Sequence, residues 1–142
     1  MKQRKLWLGL FVSVFLVCAI GTQAYAQTRA SSYVEAYSVS AQRGTHRGEV
    51  DIEAMITSNY TVPKIGVLKI EIYQSNGTHI TTIQGSTSNG LLASKSSFIH
   101  GLTYTYTGVP GTSYYAKVTL CAGTASDYDT RLVRTQTVKA PS

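Results

Sequence analysis

Residues 109–123 read Val109-Pro110-Gly111-Thr112-Ser113-Tyr114-Tyr115-Ala116-Lys117-Val118-Thr119-Leu120-Cys121-Ala122-Gly123, a turn that runs directly into a strand. Pro110 fixes its own φ and Gly111 accepts a positive one, which suits a tight reversal of the chain. Beyond the turn, Tyr114, Ala116, Val118 and Leu120 share one face, and Tyr115, Lys117, Thr119 and Cys121 share the other. The first face is the apolar one, so Tyr114 enters the core at the start of its strand. That is the position of a tyrosine corner, in which the phenol hydroxyl ties back to nearby backbone. A corner of this kind points to a β-sandwich.

The rest of the chain agrees with that reading. Ser32 to Ala41 alternates without a clearly apolar face, as an edge strand does, and Glu49 to Thr57 puts Val50, Ile52, Ala54 and Ile56 inward with Glu49, Asp51 and Glu53 outward. Ile65 to Gln74 places Leu68, Ile70 and Ile72 in one phase and Val67, Lys69, Glu71 and Tyr73 in the other. Asn76-Gly77 predicts a type I′ hairpin turn. His79 to Ile83 is the return strand, and Gln84 to Ser97 is a long polar loop held down by Leu91 and Leu92. Phe98 to Thr107 follows, with Gly101 marking a bulge, and a last strand runs from Tyr128 to about Lys139. The turn sequence Pro-Gly-Thr, any residue, Tyr, followed by alternating apolar positions, resembles the fibronectin type III pattern. The resemblance implies a single immunoglobulin/fibronectin type III-like antiparallel β-sandwich of about seven strands; it implies no activity.

The first 26 residues stand apart from this domain. Met1 to Lys5 is basic, Leu6 to Ile20 is an apolar run, and Ala24-Tyr25-Ala26 has the small residues a signal peptidase accepts, so cleavage is expected before Gln27. The apolar run falls short of the roughly 20 residues a membrane-spanning helix needs. Cys18 would suit a lipoprotein site, but Val17 stands where a small residue would be required. Residues 27–142 therefore form one secreted domain with no membrane segment after cleavage. Its ten basic and seven acidic residues leave a net charge of +3, against +6 for the whole chain, and the basic residues are scattered. Nucleic acid is not an expected partner, because a basic patch is the minimum footprint. Cys121 is the one remaining cysteine. In its outward phase it is either a free thiol in a monomer or the link in a disulfide-bonded dimer.

Across most of its length the domain also resembles a family of short secreted proteins of Gram-positive bacteria described as a domain of unknown function. The residues that carry this are Ala30 to Ser40, Lys64-Ile65-Gly66, Ile70-Glu71-Ile72-Tyr73, Gly108 to Tyr114, and Asp129-Thr130-Arg131. The resemblance implies an address and an architecture and transfers no catalytic or binding residue.

Few residues offer chemistry. His46, His79 and His100 lie on separate segments with no adjacent serine or cysteine in a recognisable arrangement, and they lack metal-ligand spacing with Cys121. Glu49, Asp51 and Glu53 read as a solvated strand face rather than a glycosidase pair, and Asp127-Tyr128-Asp129 as a turn rather than a calcium loop. Neither a catalytic residue, a metal nor a cofactor is expected. The excess of the composition is tyrosine, nine of them after residue 26. Tyr73 and Tyr115 fall outward beside Lys69 and Lys117 on strands expected to share a sheet, an amphipathic surface suited to a protein or glycan at the cell envelope. The expected function is thus a secreted, non-catalytic binding or structural module, with a small secreted hydrolase or carbohydrate-active enzyme as the alternative.

Overall fold

The computed structural model describes residues 32–142, so the expected signal peptide with Ala24, Ala26 and Gln27 lies outside the described residues. Eight strands form: β1 (Val34–Arg43), β2 (Glu49–Val62), β3 (Lys64–Gln74), β4 (His79–Gln84), β5 (Ser97–Thr107), β6 (Ser113–Gly123), β7 (Tyr128–Arg134) and β8 (Val138–Lys139). They build two antiparallel sheets, one ordered β1-β2-β5 and the other β4-β3-β6-β7, with β8 paired to the start of β6. This is a β-sandwich, with the connectivity of the immunoglobulin-type fold. Val50, Ile52, Ala54 and Ile56 of β2 face Ile70 and Ile72 of β3 and Tyr114, Ala116, Val118 and Leu120 of β6 in one buried cluster.

The corner forms as its sequence dictates. Tyr114 is buried, and the Val109 N–H donates to its hydroxyl at 2.8 Å. The Tyr106 ring meets it edge-on at 5.3 Å and 75°. The approach is close enough that Gly108 has no room for a side chain: a Cβ there would lie 2.6 Å from the Tyr114 hydroxyl oxygen and 2.7 Å from the Tyr106 ring.

Several details depart from the sequence expectations, each for a local reason. The register of β3 against β6 shifts between Val67 and Lys69, so Leu68 is bulged out, half-buried, and Val67 takes its place in the core. Gly101 marks no bulge; it pairs regularly with Met55, and the shift in β2–β5 lies between Thr57 and Val62. The β3–β4 turn is not type I′, since Gly77 alone has positive φ and Asn76 does not. Gly77 N–H donates to Gln74 O and Gln74 N–H to Thr78 O, the three-residue hairpin whose glycine is left-handed. The last strand is broken after Arg134: Thr135 N–H donates to Ala116 O while the Thr135 hydroxyl accepts from the Ala116 N–H, both at 2.9 Å. A side-chain oxygen there replaces the ladder carbonyl and ends β7.

Cys121 is a correction of a different kind. Its phase is outward, yet it is completely buried. Its neighbours are Gly66 on β3 and Thr130 on β7. Lys64 reaches across Gly123, two residues further along β6, to set its amine 3.6 Å from the centre of the Tyr128 ring. Burial pushes the Cys121 thiol up to about 11 against a modest opposing pull from Lys64. So placed, the thiol offers no exposed surface for the intermolecular disulfide that the sequence left open.

Two outcomes test this description. Tyr114→Phe is expected to cost about 1–3 kcal/mol in denaturant titration, because the Val109 N–H loses its acceptor, and Gly108→Ala a similar amount through overpacking against the same ring. Tyr115→Phe, whose hydroxyl makes no hydrogen bond among the described residues, should change stability by only a few tenths of a kcal/mol. Cys121 should resist a thiol reagent at pH 8 in the folded protein and react on unfolding. Because its folded pKa lies above the ordinary value, unfolding free energy should hold below about pH 9 and fall as pH rises towards 11. Cys121→Ala should remove that part of the slope.

Candidate functional site

The strands that carry Tyr73 and Tyr115 are neighbours, and the two residues are direct cross-strand partners. Their rings stack at 5.2 Å with planes 6° apart. The row extends beyond the pair on both sides. His79 of β4 sets its ring against Tyr73 at 5.2 Å and 69°, and the Arg134 guanidinium of β7 lies 4.1 Å from the centre of Tyr115. Lys117, two residues from Tyr115 on the same strand face, reaches to 4.8 Å from the centre of Tyr73. One residue from each of four adjacent strands thus forms a continuous ladder across the outer face of the five-stranded sheet.

This corrects the picture of two exposed aromatic rings. Tyr115 retains only 8% of its surface, because Tyr73 and Arg134 cover it. The rings are spent on each other, and what the face offers to solvent is cationic. Lys69 is paired with Glu71 at 3.2 Å. Lys117 has Arg134 opposite it on β7 and Glu71 opposite it on β3, but Glu71 pairs with Lys69, and among the described residues neither Lys117 nor Arg134 has a carboxylate within ion-pair distance. Like charges placed opposite each other across strands are normally destabilising. Here each is propped over a tyrosine ring, worth about 0.5–1 kcal/mol per cation at a surface site. Leu132, next along β7, is 67% exposed beside them.

Sequence reasoning brought Tyr73, Tyr115, Lys69 and Lys117 to this face, and the structure places all four there. It missed Arg134 and His79. Arg134 had a readable sign, since Tyr128, Thr130, Leu132 and Arg134 alternate in one phase of β7. His79 is brought in by the shift of β4 register between Ile72 and Tyr73, which no local pattern announces.

The other polar groups are occupied locally. His46 pairs with Glu49 at 3.0 Å, and the His46 backbone N–H, with the ring adding to it, holds the Glu49 carboxyl below its usual range. His79 meets the Thr82 hydroxyl at 2.9 Å and His100 the carbonyl of Gly90 at 2.9 Å. Asp51 accepts from the Thr105 hydroxyl at 2.6 Å. Asp129 accepts from the Tyr33 N–H and Asp127 from the Tyr33 hydroxyl, which ties the turn before β7 to the start of β1. Among the described residues no group of three His, Cys, Asp or Glu is arranged to hold a metal ion.

A second surface lies on the outer face of the three-stranded sheet. There Ser38, Ser40, Glu53, Met55, Gly101 and Thr103 line a shallow groove of about 560 Å³. Its depth comes from small side chains on β1 and from the missing one at Gly101. Glu53 is the one ionisable group in its lining.

Comparison with known proteins adds little to these surfaces. No family model matches the chain, and no curated protein does. Among solved structures, a family 76 glycoside hydrolase from a bovine Bacteroides thetaiotaomicron strain is similar at 17% identity with a TM-score of 0.46, over 78% of this chain and 20% of that enzyme. The chain therefore spans about a fifth of the enzyme's length, and a likeness at that level carries no argument about activity.

Proposed function

We propose that the domain is a non-catalytic recognition module that acts outside the cell, and that the outer face of its five-stranded sheet binds anionic groups of a glycan or protein at the cell envelope. The observation that carries this reading is the Lys117–Arg134 pair. Two cations are held as cross-strand partners over stacked tyrosines, and Glu71, the carboxylate opposite Lys117 on β3, is taken up by its ion pair with Lys69. An anion bridging the two would relieve their repulsion, and a surface made rigid by the ladder has little side-chain entropy left to lose on binding. The export pattern of residues 1–26 and the resemblance to secreted Gram-positive proteins support the location.

The test is retention on native cell envelopes. Wild-type protein should be retained and should be released as salt rises, because exposed charge pairs are screened. Lys117→Gln with Arg134→Gln should lose that retention, while Arg47→Gln with Lys95→Gln, which removes equal charge elsewhere, should keep it. The first double variant should lose no more than about 1–2 kcal/mol of stability, the worth of two surface cation–π contacts. Retention equal to wild type in that variant would overturn the proposal.

A further inference from the structure

The order β1-β2-β5 leaves β5 on the edge of its sheet, and the hydrogen-bond phase of that edge can be worked out. The Gly108 N–H donates to Gly48 O at 2.9 Å, one step beyond the Glu49–Thr107 pair. Hydrogen-bonded pairs alternate along an antiparallel ladder. Val50/Tyr106, Ile52/Tyr104, Ala54/Leu102 and Ile56/His100 are therefore the bonded pairs, and Ile99, Gly101, Thr103, Thr105 and Thr107 turn their N–H and C=O groups to the open side. Ile99 fits this phase independently. The Ser97 hydroxyl both accepts from its N–H at 3.1 Å and donates to its C=O at 2.7 Å. Gly101, Thr103, Thr105 and Thr107 are left with eight outward backbone groups facing no strand among the described residues.

Nothing guards this stretch in the way the other edges are guarded. β1 carries Glu35 within a register shift, ends in Arg43, and has its Ala41 carbonyl taken by the Gln136 amide at 2.6 Å. β7 carries Asp129, Arg131 and Arg134 and stops after seven residues, and β4 has only six. β5 is eleven residues long, holds neither a charged residue nor a proline, and runs unshifted through nine consecutive pairs with β2. Charges, prolines, bulges and shortness are what keep sheet edges from pairing, and β5 has none of them. Ile99 (42%) and Met55 (47%) also expose apolar surface on the outer face, and Phe98 (57%) is exposed near the start of β5.

We infer that β5 pairs with β5 of a second copy of this chain, antiparallel about a two-fold axis at Thr103. The outward series Ile99, Gly101, Thr103, Thr105 and Thr107 is symmetric about Thr103, so this register places Gly101 opposite the second copy's Thr105, Thr103 opposite Thr103, and Thr105 opposite Gly101. Each pair exchanges two hydrogen bonds, which satisfies the six groups of Gly101, Thr103 and Thr105 on each copy, while Thr107 falls at the end of the contact opposite Ile99, whose groups the Ser97 hydroxyl holds. No charge on β5 meets its own image, and the outer faces, with the groove over Gly101, join across a continuous six-stranded sheet. A two-fold contact requires only that one surface complement itself, and this one does. The contact is separate from the Lys117–Arg134 face, which lies on the other sheet.

Sedimentation velocity of the purified protein over a range of concentrations tests the pairing, together with hydrogen exchange read amide by amide. A dimer should grow with concentration, and the amides of Gly101, Thr103 and Thr105 should become at least tenfold better protected as it does. Thr103→Lys, which sets two like charges face to face at the axis, should leave a folded monomer. Thr103→Pro, which removes an outward N–H that β2 does not use, should do the same. A protein that stays monomeric throughout, or a dimer that forms without protecting those amides or survives both substitutions, would overturn the inference.

Discussion

The bond from the Val109 N–H to the Tyr114 hydroxyl fixes more than one turn. It sets where β6 starts and which way its first side chain points, and every later residue of that strand inherits the phase. β6 is the strand on which the larger sheet is hung, pairing with β3, β7 and β8. A slip of one residue would turn Ala116, Val118 and Leu120 to solvent and drive Lys117 into the core. The corner excludes that slip by occupying the space above Gly108 with a ring that fits in one position only.

The candidate site follows from the same constraint. Once Tyr114 is inside, Tyr115 and Lys117 must be outside, and the antiparallel pairing of β3 brings Tyr73 beside Tyr115. The stack, and the cations propped against it, are consequences of register rather than of any local motif. The broken end of the last strand contributes too. Thr135 supplies its hydroxyl to the Ala116 N–H, so the ladder is satisfied while Gln136 turns away to the carbonyl of Ala41 in the other sheet. Arg134 is thereby the last residue of β7 on the ladder's face, and its guanidinium lies over Tyr115.

Most of the architecture was legible because alternation is local. The phase of β2 and β6 can be read from Val50 to Ile56 and from Tyr114 to Leu120 without knowing what they pair with. What escaped depends on partners distant in sequence. The bulge at Leu68 swaps it with Val67, and either choice gives an apolar run Ile65-Gly66-Val67-Leu68 on paper. Gly66 illustrates the point: its φ of 138° and the approach of the Leu91 carbonyl follow from residues 91–93 pairing along the free side of β3. The outward phase of Cys121 was correctly read, but phase predicts exposure only where nothing covers the strand, and Cys121 is fully buried, with Lys64 and Tyr128 meeting beside it over Gly123. Tyr115 was misjudged for a related reason, since Arg134 arrives from a strand nineteen residues later.

The ties between β1 and the last part of the domain have a consequence for the order of assembly. The Tyr33 N–H bonds Asp129 at 2.8 Å, and the Gln136 amide bonds Ala41, across separations of 96 and 95 residues. β1 and β2 can zip together early as neighbours, but the sandwich cannot shut until β7 has arrived. Contacts of such sequence separation make folding slow, in the range of milliseconds to seconds for sandwiches of this kind. For a polypeptide proposed to leave the cell, late closure leaves time to be threaded through a membrane channel before the fold becomes an obstacle to passage.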